Sequence, residues 1–173
     1  MLVSTTPTSS SPESASKSSS LPRDRSARRR EREAAPVVAA VDASASGAAA
    51  VRTAISVAGR LGASVVFVYV RRGPSSILGK PYYQRRLSAE IAAAKRALGA
   101  ALAAAELAGV AASGEQLDGS PARRLVEFAR HRGARLVVLG SRRRRFGTSV
   151  SRSVIRAADR PVLVAGSPAS ATA

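Results

Sequence analysis

The chain has no cysteine and no tryptophan among its 173 residues, and it has a single histidine and a single methionine. Without cysteine there can be no disulfide, no thiol nucleophile and no thiolate metal site, a composition suited to a reducing compartment. One histidine, His131, excludes a metal cage built from histidines. Three Tyr and three Phe leave few platforms on which bases could stack. No apolar run approaches the ~20 residues that span a bilayer. The Ala-rich stretch from Leu87 to Ala112 is interrupted by Glu90, Lys95, Arg96 and Glu106, so a soluble protein is expected. Met1-Leu-Val is too short for the apolar region of a signal peptide, and Glu13, Asp24, Glu31 and Glu33 are unlike an organelle transit peptide. Catalytic patterns are also missing: there is no Gly-x4-Gly-Lys-(Ser/Thr) loop, no His-Glu-x-x-His, and no serine with a plausible histidine base.

What is abundant is positive charge. The formal net charge is +17. Residues 1–35 hold seven basic and four acidic residues, which leaves 21 basic and seven acidic residues in the remainder. Such a balance steers anions to the surface and predicts salt-sensitive association with nucleotide, nucleic acid or acidic lipid, while saying nothing about fold. Residues 1–35 are dominated by Ser, Thr, Pro and then Arg, without periodic apolar positions. Too little can be buried there to offset ordering entropy, so a disordered tail is expected, as is a flexible C-terminus over 167–173.

From Pro36 onward, β-branched runs alternate with helical periodicity. Val37 to Asp42 reads as a strand, followed by a helix from about Ser46 with Val51, Ala54, Ile55, Ala58 and Leu61 on one face and Gly62 at its end. Ser64 to Val70 is a nearly continuous apolar run, as in a strand covered on both faces. Arg71 to Arg86 reads as a long connection carrying Tyr82 and Tyr83. It leads to a helix with Leu87, Ile91, Ala94, Leu98 and Leu102 inward and its charges outward. A weak strand near Ala112 to Leu117 precedes Gly119-Ser-Pro121, where Ser120 can cap and Pro121 fits a first helical turn. Ala122, Leu125, Val126 and Ala129 then face inward, and His131 is expected at the surface beside the terminating Gly133. Arg135 to Leu139 gives a fourth strand, Val150, Val154, Ile155 and Ala158 one helical stripe, and Pro161 to Val164 a fifth strand. Repeated βα units with right-handed crossovers predict an α/β single domain with an open, mostly parallel sheet and helices on both faces. Ligands of such sheets bind beyond the carboxyl ends of the strands, at the topological switch point.

The segment Leu136-Val-Val-Leu-Gly140-Ser-Arg-Arg-Arg-Arg-Phe-Gly-Thr-Ser149-Val-Ser151 joins a buried-type strand to a hydroxyl-rich helix start, an arrangement that binds anions through free backbone N–H groups. Together with Val38-Ala-Ala-Val41-Asp42-Ala-Ser44, Val66-Phe-Val-Tyr-Val70 and Pro161-Val-Leu-Val164, it resembles the universal stress protein family over residues 36–166. The resemblance implies a five-stranded Rossmann-like domain, similar to adenine nucleotide alpha hydrolases, that is commonly a homodimer through its last strand, here Pro161 to Val164. Nucleotide-binding members resemble one another in Gly-x2-Gly-x9-Gly-(Ser/Thr). In this chain Gly140 matches the first glycine, Arg143 occupies the second glycine's place and Thr148 the third's. Only Arg144 to Gly147 stand where nine residues are expected, and Ser149 fits the hydroxyl position.

Carried over residue by residue, the resemblance implies a nucleotide site at Val41, Asp42, Val70, Leu139, Gly140, Arg142, Arg143, Ser149, Val150 and Ser151. Ala43 stands where many members have glycine, a mild departure. Arg143 removes easy access to positive φ and puts a side chain where a backbone amide would approach phosphate, which weakens the cradle. Arginine forks bind phosphate by side chain, so charge could substitute for shape. Local roles stay open beside the ligand roles: Asp42 can cap or shape the turn before the first helix, and Ser149 and Ser151 can cap the fourth. The leading expectation is a small cytoplasmic stress-response protein acting as a dimeric binding or signalling module with a degraded ATP loop and no turnover. The alternatives are an ATP-binding member that hydrolyses ATP slowly with Mg2+, and an electrostatic binder of nucleic acid or anionic surfaces through the tail and Arg142 to Arg145.

Overall fold

A computed structural model of the chain describes residues 35–72, 80–141 and 149–166. The elements follow in the order β1 (Val37–Ala40), α1 (Ala45–Leu61), β2 (Val65–Arg71), α2 (Lys80–Leu107), β3 (Ala112–Asp118), α3 (Pro121–His131), β4 (Leu136–Gly140), α4 (Val150–Ala157) and β5 (Val162–Ala165). The five strands form one sheet in the order β3-β2-β1-β4-β5, every pairing parallel. β1 sits at the centre, with Val38 registered on Val66 of β2 and on Val137 of β4. The chain steps outward on one side through β2 and β3, then crosses to β4 and β5 on the other, so the switch point lies between the tips of β1 and β4.

Strand periodicity divides the core into two layers. Val37, Ala39, Val41, Val65 and Phe67 pack under α1 and α2 with Ala50, Ala54, Ala58, Ala101 and Ala105. Val38, Val66, Val68, Val137 and Leu139 pack under α3 and α4 with Leu125, Val126, Ala129 and Val154. The central strands are apolar on consecutive positions because both faces are covered. Alanine dominates the helix side of the first layer and lets α1 and α2 approach the sheet closely. Gly62 closes α1 in the left-handed region at φ 60°, the position where a residue without Cβ costs least.

Several expectations are corrected. Helix α2 starts at Lys80 rather than near Leu87, so Tyr82 and Tyr83 belong to the helix and not to a connection. Pro81 falls in its first turn, where a missing N–H is no loss, so the proline read as a loop marker is compatible with a helix start. Ile155 is 54% exposed instead of completing an inward stripe, because α4 packs chiefly on α3 and little on β5. Ser120 occupies the N-cap position of α3 without making a side-chain cap bond. His131 is exposed at the end of α3, as expected. The tail 1–34, the C-terminal residues 167–173, and Arg142 to Arg145 lie outside the described residues. Among the described residues no helix is long and apolar enough to cross a membrane.

Candidate functional site

The turn after β1 is built from short polar side chains. Asp42 Oδ1 accepts from the backbone N–H of Ser44 at 3.0 Å and also from the Ser44 hydroxyl. Ser44, extended at φ −101° and ψ 162°, is the N-cap of α1, its Oγ accepting from Gly47 N at 3.1 Å. Ser46 is buried and its Oγ lies 2.9 Å from Ser44 Oγ. Of the local roles open to Asp42, the turn is the one it plays; the cap is Ser44.

Two glycines allow the chain to close on this turn. A Cβ on Gly47 would overlap Asp42 Oδ1 and the Asp42 carbonyl oxygen and lie 3.0 Å from Asp42 N. A Cβ on Gly140, at the tip of β4, would overlap the carbonyl oxygen of Ser46 and lie 2.6 Å from its carbonyl carbon. Gly140 therefore lets β4 press against the first turn of α1. That packing role accounts for the glycine whether or not a ligand binds, and it was not among the sequence expectations.

Across the tip, Ser149 caps α4, its side chain accepting from Arg152 N at 3.1 Å. The Ser151 hydroxyl donates to the Gly140 carbonyl at 3.0 Å and ties the start of α4 to the end of β4. With the N–H groups of Arg152 and Ser153 taken by Ser149 Oγ and Ser149 O, helix geometry leaves the N–H groups of Val150 and Ser151 without an intrahelical acceptor.

These elements surround a cleft of about 320 Å³ over the strand tips. All eight expected site residues that are described line it: Val41, Asp42, Val70, Leu139, Gly140, Ser149, Val150 and Ser151. Arg142 and Arg143 lie outside the described residues. The wall also includes Gly47, Arg71, Arg72 and Glu90, which were not expected. Gly47 carried a signal, a helix-weakening residue in the first turn of α1. Glu90 carried one too: it stands four residues before the buried Ala94 and three after Leu87, hence on the inner side of α2 rather than among its outward charges.

At the β2 end of the cleft, Arg71 grips Asp118 of β3 through two parallel bonds, Nε to Oδ1 at 2.7 Å and Nη2 to Oδ2 at 3.0 Å. The bonded guanidinium holds the Asp118 carboxyl below its ordinary range, and Arg71 is in turn held above its own by that bond, with the negative charge of Glu90 adding to the effect. Arg124 of α3 donates to the Asp118 carbonyl at 2.8 Å. Among the described residues no group of three or more His, Cys, Asp or Glu could hold a metal ion.

The fold and the cleft define a Rossmann-like α/β protein with an anion-friendly helix start at the switch point of a parallel sheet. The chain belongs to the universal stress protein family, whose model matches residues 33–166. Among solved structures it is similar to the universal stress protein from Archaeoglobus fulgidus, with 28% identity over 76% of this chain and 93% of that one at TM-score 0.63. The same organism's protein in complex with dAMP gives 29% identity over 76% of this chain and 97% of that one at TM-score 0.60. A universal stress family protein from Burkholderia pseudomallei gives 27% identity, 76% and 96% coverage, and TM-score 0.65. No curated protein matches the chain.

Proposed function

We propose that the chain binds an adenine nucleotide in the cleft at the β1–β4 switch point and works as a dimeric cytoplasmic signalling module that holds the nucleotide without turning it over. The observation that carries this reading is the convergence of Asp42, Val70, Gly140 and the start of α4 on one cleft. A relative of 29% identity has been solved with dAMP. In this reading the phosphate sits at the N–H groups of Val150 and Ser151, where the helix dipole favours an anion, and the sugar and base extend over the tips of β1 and β2. Arg142 and Arg143 supply side-chain charge where the family loop has backbone and glycine. Because the loop is five residues short of the family pattern, it wraps the outer phosphates of ATP less well, and a monophosphate suits the site better. If Mg2+ enters with ATP, the phosphates are its principal ligands.

Dimerisation through the last strand fits the contrast between the two sheet edges. β3 ends the sheet with the polar sequence ASGEQLD, whereas β5 reads VLVA with Leu163 and Val164 more than a third exposed and Ile155 exposed nearby. Polar edges discourage strand addition, while apolar ones invite a second copy. Native mass spectrometry of the purified protein tests both halves of the reading. A dimer carrying an adenine nucleotide is expected, and Leu163→Arg should yield monomer. A monomer without nucleotide, even after AMP is added, overturns the reading. ATP hydrolysis that Asp42→Ala abolishes would overturn the absence of turnover.

A further inference from the structure

The two helical layers of the sheet differ in charge. Residues 121–141 and 149–166, which supply α3, β4, α4 and β5, hold eight arginines, no lysine and only two acids, Glu127 and Asp159. The remaining described residues, a longer stretch, hold nine basic and five acidic side chains. Each acid of the α3–α4 layer is divided between two arginines. Glu127 lies 3.6 Å from Arg123 and 3.3 Å from Arg124, and Asp159 lies 3.1 Å from Arg130 and 3.9 Å from Arg160. Neutralisation is therefore incomplete even where pairs form, and exposed pairs hold their partners weakly.

Arg152 and Arg156 have no acidic partner among the described residues. They stand two residues to either side of the buried Val154, so the helical period points both away from the sheet, and both are exposed. Like charges four residues apart repel, which weakens a helix as short as α4. Arg152 is also set against the helix dipole. It occupies the third position after the Ser149 cap, where a glutamate or glutamine would complete a capping box. Helix α3 repeats the arrangement, with Arg123 three residues after Ser120 and no acid in the first turn. Both helices thus carry arginines that lower their own stability, and an anion from outside would offset that cost.

The chemistry of the patch selects among anions. Arginine without lysine suits planar, bidentate contacts to phosphate oxygens. The charges are spread over the outer faces of two helices packed side by side and do not line the cleft, so they fit a row of phosphates rather than one. Phe128, the one aromatic residue in these stretches, lies under the Arg132 guanidinium, 5.3 Å from its ring centroid. No platform is left for unstacked bases, which disfavours a single strand. The outward positions of α3 are charged and lack the apolar face with which surface helices enter a membrane. We infer that the outer α3–α4 face, centred on Arg152 and Arg156, binds the phosphate backbone of duplex nucleic acid without reading its sequence.

The test is fluorescence anisotropy of a short labelled DNA duplex titrated with the full chain between about 50 and 200 mM salt. The parent is compared with Arg152→Ala/Arg156→Ala and with Lys95→Ala/Arg96→Ala, which removes the same charge from exposed positions of α2 on the opposite layer. Loss of two phosphate contacts should make the log–log salt dependence shallower by about 1.8 and weaken binding about tenfold or more at 100 mM salt. The α2 pair should leave the slope close to the parent's. Arg152→Lys/Arg156→Lys, which keeps the charge, should also keep the slope. Removing two like charges should leave the urea midpoint of Arg152→Ala/Arg156→Ala at or above the parent's, so the weakening cannot be unfolding. A parent chain that leaves the duplex free at the lowest salt overturns the inference. Equal effects of the two alanine pairs also overturn it, because general basicity or the arginine-rich tail would then account for binding. A urea midpoint below the parent's would make the two arginines part of the fold's own packing and contradict it as well. Phosphatidylserine vesicles in the same salt series are the competing polyanion: vesicle binding that depends on Arg152 and Arg156, with no duplex binding, would assign the face to a membrane instead.

Discussion

The two ends of the cleft are made of different materials. At the β4–α4 end the working parts are backbone: a glycine against the carbonyl of Ser46, a capped helix start, and N–H groups left over by helix geometry. At the β2–α2 end they are side chains: the Arg71–Asp118 fork and the Glu90 carboxylate. Backbone sites depend on close packing and tolerate almost no added atom. Side-chain sites can be altered with less cost to the fold.

The difference can be broken most forcefully at Gly140. Gly140→Val puts a branched side chain into the backbone of Ser46, and overpacking at a site that cannot give way should cost about 2–3 kcal/mol or more, read as a lower urea midpoint. Loss of ligand binding in that variant would follow from the damaged fold and says nothing about a glycine contact to phosphate. A Gly140→Val protein as stable as the parent would show that the β4 tip is not packed as described.

Asp118→Asn sharpens the other side of the comparison, with a much smaller effect. Arg71 is 15% exposed and Asp118 64% exposed, so the fork is screened by solvent and salt and contributes little to stability. Because the folded carboxyl is held below its ordinary value, its contribution is fully present above about pH 4 and disappears as pH falls through the lowered value. The gap in denaturation midpoint between parent and variant should therefore be present at neutral pH, narrow in high salt, and close in acid. A gap that widened in acid would contradict the assignment.

The same division explains how much could be read from the chain. β2 and β4 were legible because a strand buried on both faces writes itself as a continuous apolar run, and α1 because Gly62 and its periodic face mark it. The cleft's backbone end was legible as well, since Gly140, Ser149 and Ser151 follow a strand that feeds a helix. What each residue does there was not. The hold of Gly140 on Ser46 and of Gly47 on Asp42 depends on elements meeting in space, which local sequence does not record. The first turns of α2 were missed because Tyr82 to Arg86 have no apolar period and Pro81 looks like punctuation until its place in the first turn is known. Ile155 was misplaced because periodicity finds an apolar face without telling whether anything covers it.

The most direct test of a nucleotide held by the start of α4 is a titration of AMP and adenosine into the parent chain and into Val150→Pro. Val150 is the first residue of α4, and Ser149 before it is already extended at φ −74° and ψ 141°, so proline fits there and removes one N–H without breaking the helix. The parent should bind AMP more tightly than adenosine, and Val150→Pro should narrow that difference while its denaturation midpoint stays close to the parent's. An AMP preference unchanged in Val150→Pro, or a parent chain that takes up no AMP at about 1 mM, where even weak nucleotide sites begin to fill, would contradict the account.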